Sequence, residues 1–200
     1  MAFTFFFRDR HTLEFIVEHM APFVTGRSKI KIWDAGCASG EEPYTFTIML
    51  AEKLGKYIFK NVEVHATDID ISNQFAEIIR TGIYPYEKVQ RIPPELLEKY
   101  FVRQNDGKFY EVIDQLKSKM IFKRENLLTY KPTSNDFSLI ICKNVLLHQT
   151  YEQRVKIIEM FYNALLPGGF LGMEQTQKMP SEIEGKFELV VPNAQLYKKM

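Results

Sequence analysis

The sequence predicts an α/β fold: a mostly parallel sheet covered by helices on both faces, in a three-layer sandwich. Three observations carry this. From residue 11 onward, short β-rich apolar runs alternate with longer runs of helical period. One run, "FSLIIC" at 137–142, is apolar enough to be a central strand buried on both faces. Finally, 200 residues with 46% hydrophobic and 26% charged side chains suit one globular domain that can bury a core unaided.

The elements follow in order. "HTLEFIVEHMAPFV" is an opening helix, with Leu13, Ile16, Val17 and Met20 at helical spacing. "KIKIWDAG" alternates and stops at Gly36, which makes it the first strand. "EPYTFTIMLAEKLG" carries Pro43 in its first turn, where a missing N–H costs nothing, and Gly55 is expected just past its end. "VEVHATDID" is the second strand. "SNQFAEIIRTG" is a helix expected to start at a Ser72 cap and to stop at Gly82.

Residues 82–118 are the expected insertion, a small β-subdomain. Within it "IPPELLEKYF" is a short helix entered through prolines, and "VRQNDGKFYEVI" a hairpin around Asn-Asp-Gly. "KMIFKRENLL" and "FSLIICKNVLL" are two further strands. "YEQRVKIIEMFYNALLPGG" is a helix with Val155, Ile158, Phe161, Tyr162 and Leu165 on one face, closed by Pro-Gly-Gly. "FLGMEQT" is a strand, and "FELVVPNAQLYKKM" a terminal antiparallel hairpin. No repeat, linker or low-complexity tract interrupts the chain, so residues 1–200 are expected to form one domain.

Composition narrows the function. With 26 basic and 25 acidic side chains the formal net charge is +1, which argues against nucleic acid as the main partner. Cys37 and Cys142 lie far apart with no metal-ligand cluster around them, so no metal is expected and both read as free thiols of a reducing cytosol. No stretch approaches the roughly 20 apolar residues of a membrane span. The N-terminal apolar run lacks the flanks of a signal peptide, so a cytoplasmic, mature chain is expected.

The chemistry concentrates in two acidic places at expected strand ends, where open α/β sheets bind ligands. One is "DAGCASGEE" at 34–42; the other is Asp68-Ile-Asp70. An acid closing the second strand accepts hydrogen bonds from ribose hydroxyls, so with Gly36 and Gly40 an adenosine-containing ligand is expected. The glycine spacing departs from GxGxxG, and Glu41 and Glu42 would repel a phosphate at a helix N-terminus that otherwise favours one. S-adenosylmethionine, with its sulfonium, α-ammonium and no phosphate, fits better. The plain alternative is that Glu41 and Glu42 serve only the helix first turn, worth about 0.3–1 kcal/mol each.

"TFFFRD" (4–9), "GCASGEEPYT" (36–45), "ATDID" (66–70), "TGIYP" (81–85), "ENLL" (125–128), "ICKNVLL" (141–147) and "LLPGGFL" (165–171) together resemble the methyltransferase domain of the CheR family, which esterifies glutamates of chemotaxis receptors. The resemblance implies a class I S-adenosylmethionine-dependent methyltransferase fold, Rossmann-like, with seven strands and the last reversed. It implies that Thr4 and Arg8 meet the cofactor, with Arg8 directed to the methionine carboxylate or the acceptor glutamate; a surface ion pair is the alternative. Glu42 should hold the ammonium side and Asp68 the ribose, beside Gly36. Asn126 and Leu127 should flank the adenine, although Asn126 also reads as a turn residue. Lys143 and Asn144 should line the floor near the methyl group. Arg8, Lys143 and His148 are the expected catalytic group, the product S-adenosylhomocysteine, and the partner the cytoplasmic helical region of chemoreceptors.

Some features depart from the family pattern. Members usually carry a short basic helical domain before "FFRD", whereas this sequence opens at that motif. "CKNVLLHQ" stands where "CRNVxIYF" is common, so Lys143 replaces a forked guanidinium and His148 a tyrosine. His148 reads equally as functional or structural. "GMEQTQ" stands for "GHSE". These changes face the acceptor rather than the cofactor, which keeps open a signalling module that binds the cofactor without transferring methyl. A nicotinamide oxidoreductase suits the sheet but not the glycine spacing.

Overall fold

The alternation of the first apolar run sets which way its side chains face. The computed structural model describes residues 4–174 and 178–200. In strand β1 (Ile30–Ala35), Ile30 and Ile32 enter one buried cluster while Trp33 and Ala35 enter another on the opposite side. Two apolar layers therefore sandwich the sheet. Helices α1 (Arg10–Val24) and α2 (Glu41–Phe59) supply the first cluster. On the way, strand β2 (Val62–Asp68) pairs parallel with β1, Ile30 opposite Val62, and helix α3 (Phe75–Thr81) follows it.

A second, antiparallel sheet of three strands comes next, built from β3 (Ile83–Pro85), β4 (Phe101–Gln104) and β5 (Phe109–Val112) in the order β3-β5-β4. Short helices α4 (Tyr86–Val89) and α5 (Pro94–Tyr100) precede the β4–β5 hairpin, and α6 (Asp114–Lys117) returns the chain to the main sheet. Strand β6 (Met120–Arg124) then pairs with β2, and β7 (Phe137–Cys142), buried at every position, pairs with β1.

Helix α7 (Tyr151–Ala164) begins at a capping box in which Thr150 Oγ1 accepts from Gln153 N–H and the Gln153 side chain accepts from Thr150 N–H. It buries Ile158 and Phe161 against the second cluster, each worth about 1.5–3 kcal/mol. Strand β8 (Leu165–Met173), helix α8 (Ser181–Glu184) and strands β9 (Phe187–Val191) and β10 (Leu196–Lys199) complete the chain. The main sheet has seven strands in the order β6-β2-β1-β7-β8-β10-β9, with β10 antiparallel to both neighbours. This is the seven-stranded sheet with a reversed last strand that the resemblance implies. None of the described helices is long and apolar enough to cross a membrane.

Some boundaries differ from the sequence reading for identifiable reasons. Gly55 does leave helical geometry, at φ 68°, but a further turn to Phe59 follows it, so glycine marks a break within α2 and not its end. Ser72 does not cap α3. The carboxylate of Asp70 does so, accepting from the Gln74 and Phe75 N–H groups and from the Ser72 hydroxyl. Leu165 and the Pro-Gly-Gly at 167–169 belong to β8 rather than to the end of α7. The expected strand "FLGMEQT" and the "GMEQTQ" departure both run into residues 175–177, which lie outside the described residues.

Candidate active site

The carboxyl ends of β1, β2 and β7 converge on one edge of the sheet. After β1 the chain turns through Gly36 at φ 98°, and the Gly36 and Cys37 N–H groups donate to Thr67 O at 2.7 and 3.0 Å. A Cβ on Gly36 would lie 2.2 Å from Val145 Cγ2, so only glycine lets this turn pass beneath the segment after β7. Asp68, at the end of β2, accepts from Ala38 N–H at 3.0 Å and from Asp70 N–H at 2.9 Å. It fixes the turn through one oxygen and its own loop through the other.

The segment before α1 forms a third wall. Phe7 N–H donates to Thr45 Oγ1 at 3.0 Å, and Arg8 Nη2 donates to Asn144 Oδ1 at 3.2 Å. Phe7, Asp9, Ala38 and Asn144 all adopt left-handed backbone conformations without being glycine. Each costs about 1–3 kcal/mol, and such residues gather where a site over-determines its backbone.

Between these walls is a cleft of about 440 Å³. Thr4 and Arg8 line one side, and Gly36, Glu42 and Asp68 the opposite one. Lys143, Asn144 and His148 close the end beyond β7, with His148 at the exposed rim. A smaller adjoining hollow of about 130 Å³ shares Gly36, Asp68 and Val145, and is lined by Asn126 and Leu127. Asn126 is also the turn residue anticipated as an alternative: its Oδ1 accepts from Leu128 N–H at 3.0 Å. Every expected catalytic or cofactor-binding residue thus lines one of these two adjoining cavities, whereas Gly40, Glu41 and Asp70 line neither.

The charges are closely balanced. Lys143 Nζ is nearly inaccessible and donates to Asp9 Oδ2 at 2.9 Å and Glu42 Oε2 at 3.2 Å. Burial pulls its pKa down, but Glu42 and Asp9 outweigh burial and hold the ammonium above its usual value. Asp34 is fully buried beneath them, and neither of its oxygens has a hydrogen-bond partner. Burial first, then the Glu42 charge, push its carboxyl well above the usual range. Glu174, also raised by burial, accepts from Asn144 N–H at 3.1 Å and so steadies the residue that holds Arg8.

Glu41 is no surface decoration of the helix. It is fully buried, accepts from the Ser39 hydroxyl at 2.7 Å, and pairs with Lys88 Nζ at 2.9 Å in a geometry that is ionic rather than hydrogen-bonded. Sequence reasoning gave no role to Asp9, Asp34, Lys88 or Glu174. Asp34 stood within the acidic run. Asp9 closed the "TFFFRD" motif and Glu174 lay in "GMEQTQ", while Lys88 carries no local signal because its partners are distant in sequence.

Residues 2–195 fit the family described as the CheR methyltransferase, SAM binding domain. The chain belongs to the CheR methyltransferase family. Similar CheR relatives include the chemotaxis protein methyltransferase of Borreliella burgdorferi, 37% identical over 177 residues, covering 84% of this chain and 61% of that protein. Chemotaxis protein methyltransferase 2 of Vibrio cholerae is 31% identical, covering 88% and 62% respectively. The chain thus spans a little over 60% of the length of these two relatives. In solved structures, TrmN from Thermus thermophilus shares the fold with a TM-score of 0.50 at 14% identity, over 94% of this chain and 49% of that one.

The CheR cofactor, S-adenosylmethionine, fits the residues present. Gly36 lines the cleft with bare backbone, and the buried Asp34 oxygens are without partners. Within that lining Glu42 stands in the first turn of α2, at the helix N-terminus a phosphate would otherwise occupy.

Proposed function

We propose that this domain transfers the methyl group of S-adenosylmethionine to glutamate side chains in the cytoplasmic helical region of chemotaxis receptors, forming glutamyl methyl esters in the cytoplasm. One observation carries the reading: Glu42 and Asp68 face the same cleft as Arg8 and Lys143. The carboxylates suit a cationic, phosphate-free adenosine ligand, and the cations suit an anionic acceptor. The names of the relatives support the acceptor class.

When bound, S-adenosylmethionine supplies an electrophilic methyl group. The remaining work is done by the chain. Asp68 has lone pairs left after its two backbone bonds, and these accept the ribose hydroxyls. Asn126 and Leu127 flank the adenine in the smaller hollow, and Gly36 and Thr4 bound the centre of the ligand. Glu42 would hold the α-ammonium, beside Lys143, which is paired with both Glu42 and Asp9. An acceptor glutamate near its reference pKa of about 4.3 is already ionised at neutral pH, so no general base is needed. Arg8, tethered to Asn144, and Lys143 orient that carboxylate, with His148 beside them at the rim. Placement of this kind is worth roughly 7–11 kcal/mol of barrier.

The test is transfer of radiolabelled methyl to receptor cytoplasmic fragments, followed by base release of labelled methanol. Base-labile label in the fragments supports the assignment. Tight binding of S-adenosylhomocysteine with no label transferred would replace it with the non-transferring module.

A further inference from the structure

We infer that Lys88 and Tyr84, on the small three-stranded unit, are positioning residues for cofactor binding, because they hold two of the backbone stretches that wall the cleft. The inference rests on the cofactor reading above. Neither side chain lines the cleft itself. Lys88, on α4, donates from Nζ to Thr4 O at 2.9 Å and pairs with the buried Glu41 at 2.9 Å. One ammonium therefore ties the N-terminal wall to the first residue of α2. Tyr84, on β3 and almost fully buried, donates its hydroxyl to Ser39 O at 2.7 Å, inside the glycine turn. The approach is so close that a Cβ on Gly40 would stand 2.8 Å from that hydroxyl.

Packing reinforces both contacts. The Phe6 ring meets Tyr84 edge-on at 4.9 Å between centroids and Phe101 at 5.4 Å, while the Arg91 guanidinium lies 4.2 Å over the Phe5 ring. The wall needs such a hold because Phe7 and Asp9 sit at φ 59° and 52°. A segment strained by about 1–3 kcal/mol at each of two residues relaxes unless its surroundings fix it. Thr4 and Arg8 would then move from the cleft they line.

Calorimetric titration of the whole chain with S-adenosylhomocysteine, paired with thermal unfolding, tests this. Removing Lys88 alone would strand the Glu41 carboxylate, so Lys88→Met is made in a Glu41→Gln background and compared with Glu41→Gln. Losing a charge-assisted hydrogen bond to Thr4 O should weaken binding about tenfold. Tyr84→Phe should weaken it several-fold, and Lys88→Arg should restore it to within about twofold of wild type. Lys99→Met, which breaks an exposed pair between α5 and Glu52 of α2, neither residue lining the cleft, should bind as wild type does. Melting temperatures of the weakened variants should stay within about 5 °C of their parents. Parent-like affinity in both the Lys88→Met and Tyr84→Phe proteins would overturn the inference and leave the cofactor reading standing. A wild-type chain that takes up no S-adenosylhomocysteine would sink both.

Discussion

Gly36→Ala is the substitution whose cost the structure defines most closely. The added methyl would lie 2.2 Å from Val145 Cγ2, against ordinary carbon contacts of about 3.5–4.0 Å. Val145 is β-branched and cannot swing aside freely, so overpacking of about 1–3 kcal/mol is expected. Alanine must also adopt φ 98°, adding about 1–3 kcal/mol of backbone strain. The sum, about 2–6 kcal/mol, is a large share of the 5–15 kcal/mol typical of a domain. For about 200 residues it lowers the melting temperature by roughly 2–4 °C per kcal/mol, so by about 4–24 °C. The assay is thermal and urea unfolding of a double-mutant cycle with Val145→Ala. Removing the Val145 methyls should recover the overpacking share and leave the φ cost, giving a coupling of about 1–3 kcal/mol. A Gly36→Ala protein within about 0.5 kcal/mol of wild type, or a cycle with no coupling, would refute the reasoning.

Other substitutions separate the parts of the site. Asp68→Ala should abolish S-adenosylhomocysteine binding, whereas Arg8→Ala should lower turnover more than affinity; wild-type-like activity in both would refute these assignments. Lys143→Met should destabilise by about 3 kcal/mol at neutral pH, below the full cost of breaking a buried pair because Asp9 remains open to solvent. Since Lys143 is held above its usual pKa, its contribution is complete below the unfolded value near 10.4 and is lost as pH rises through the folded value. The gap between variant and wild type should therefore close in alkali, as followed by urea midpoints. Asp70→Ala should cost about 1 kcal/mol through loss of the α3 cap. Burial opposes ionisation of Asp70, but the Phe75 N–H, the Ser72 hydroxyl and the Gln74 N–H outweigh it and hold the carboxyl below the usual range. That stabilisation is present above the unfolded value near 3.9 and disappears as pH falls through the folded value, so this gap should close in acid.

Much of this was legible because it is written in short-range pattern. Alternation in "KIKIWDAG" marked the first strand, whose Ile32 and Trp33 enter opposite layers, and the largely apolar run at 137–142 marked the strand buried at every position. The glycines and acids around the Gly36 turn announced a cleft before its walls were known. What escaped was long-range or depended on competition between neighbours. Lys88 reaches Thr4 across 84 residues, and Tyr84 reaches Ser39 across 45, with no periodicity to betray either. Ser72 was the expected cap, but the Asp70 carboxylate takes that place because it accepts two backbone N–H groups at once. Gly55 failed as a stop signal since the chain recovers helical geometry after a single aberrant residue.

The far edge of the main sheet has an uneven dependence on its parts. Strand β9 joins the sheet only through β10, which lies between it and β8. Damage confined to β9 trims one ribbon from the margin, whereas damage to the four residues of β10 detaches two, and β8 becomes the new margin with unsatisfied backbone groups along its length. Strand-breaking substitutions near residue 196 should therefore be far more harmful than equivalent substitutions near residue 188.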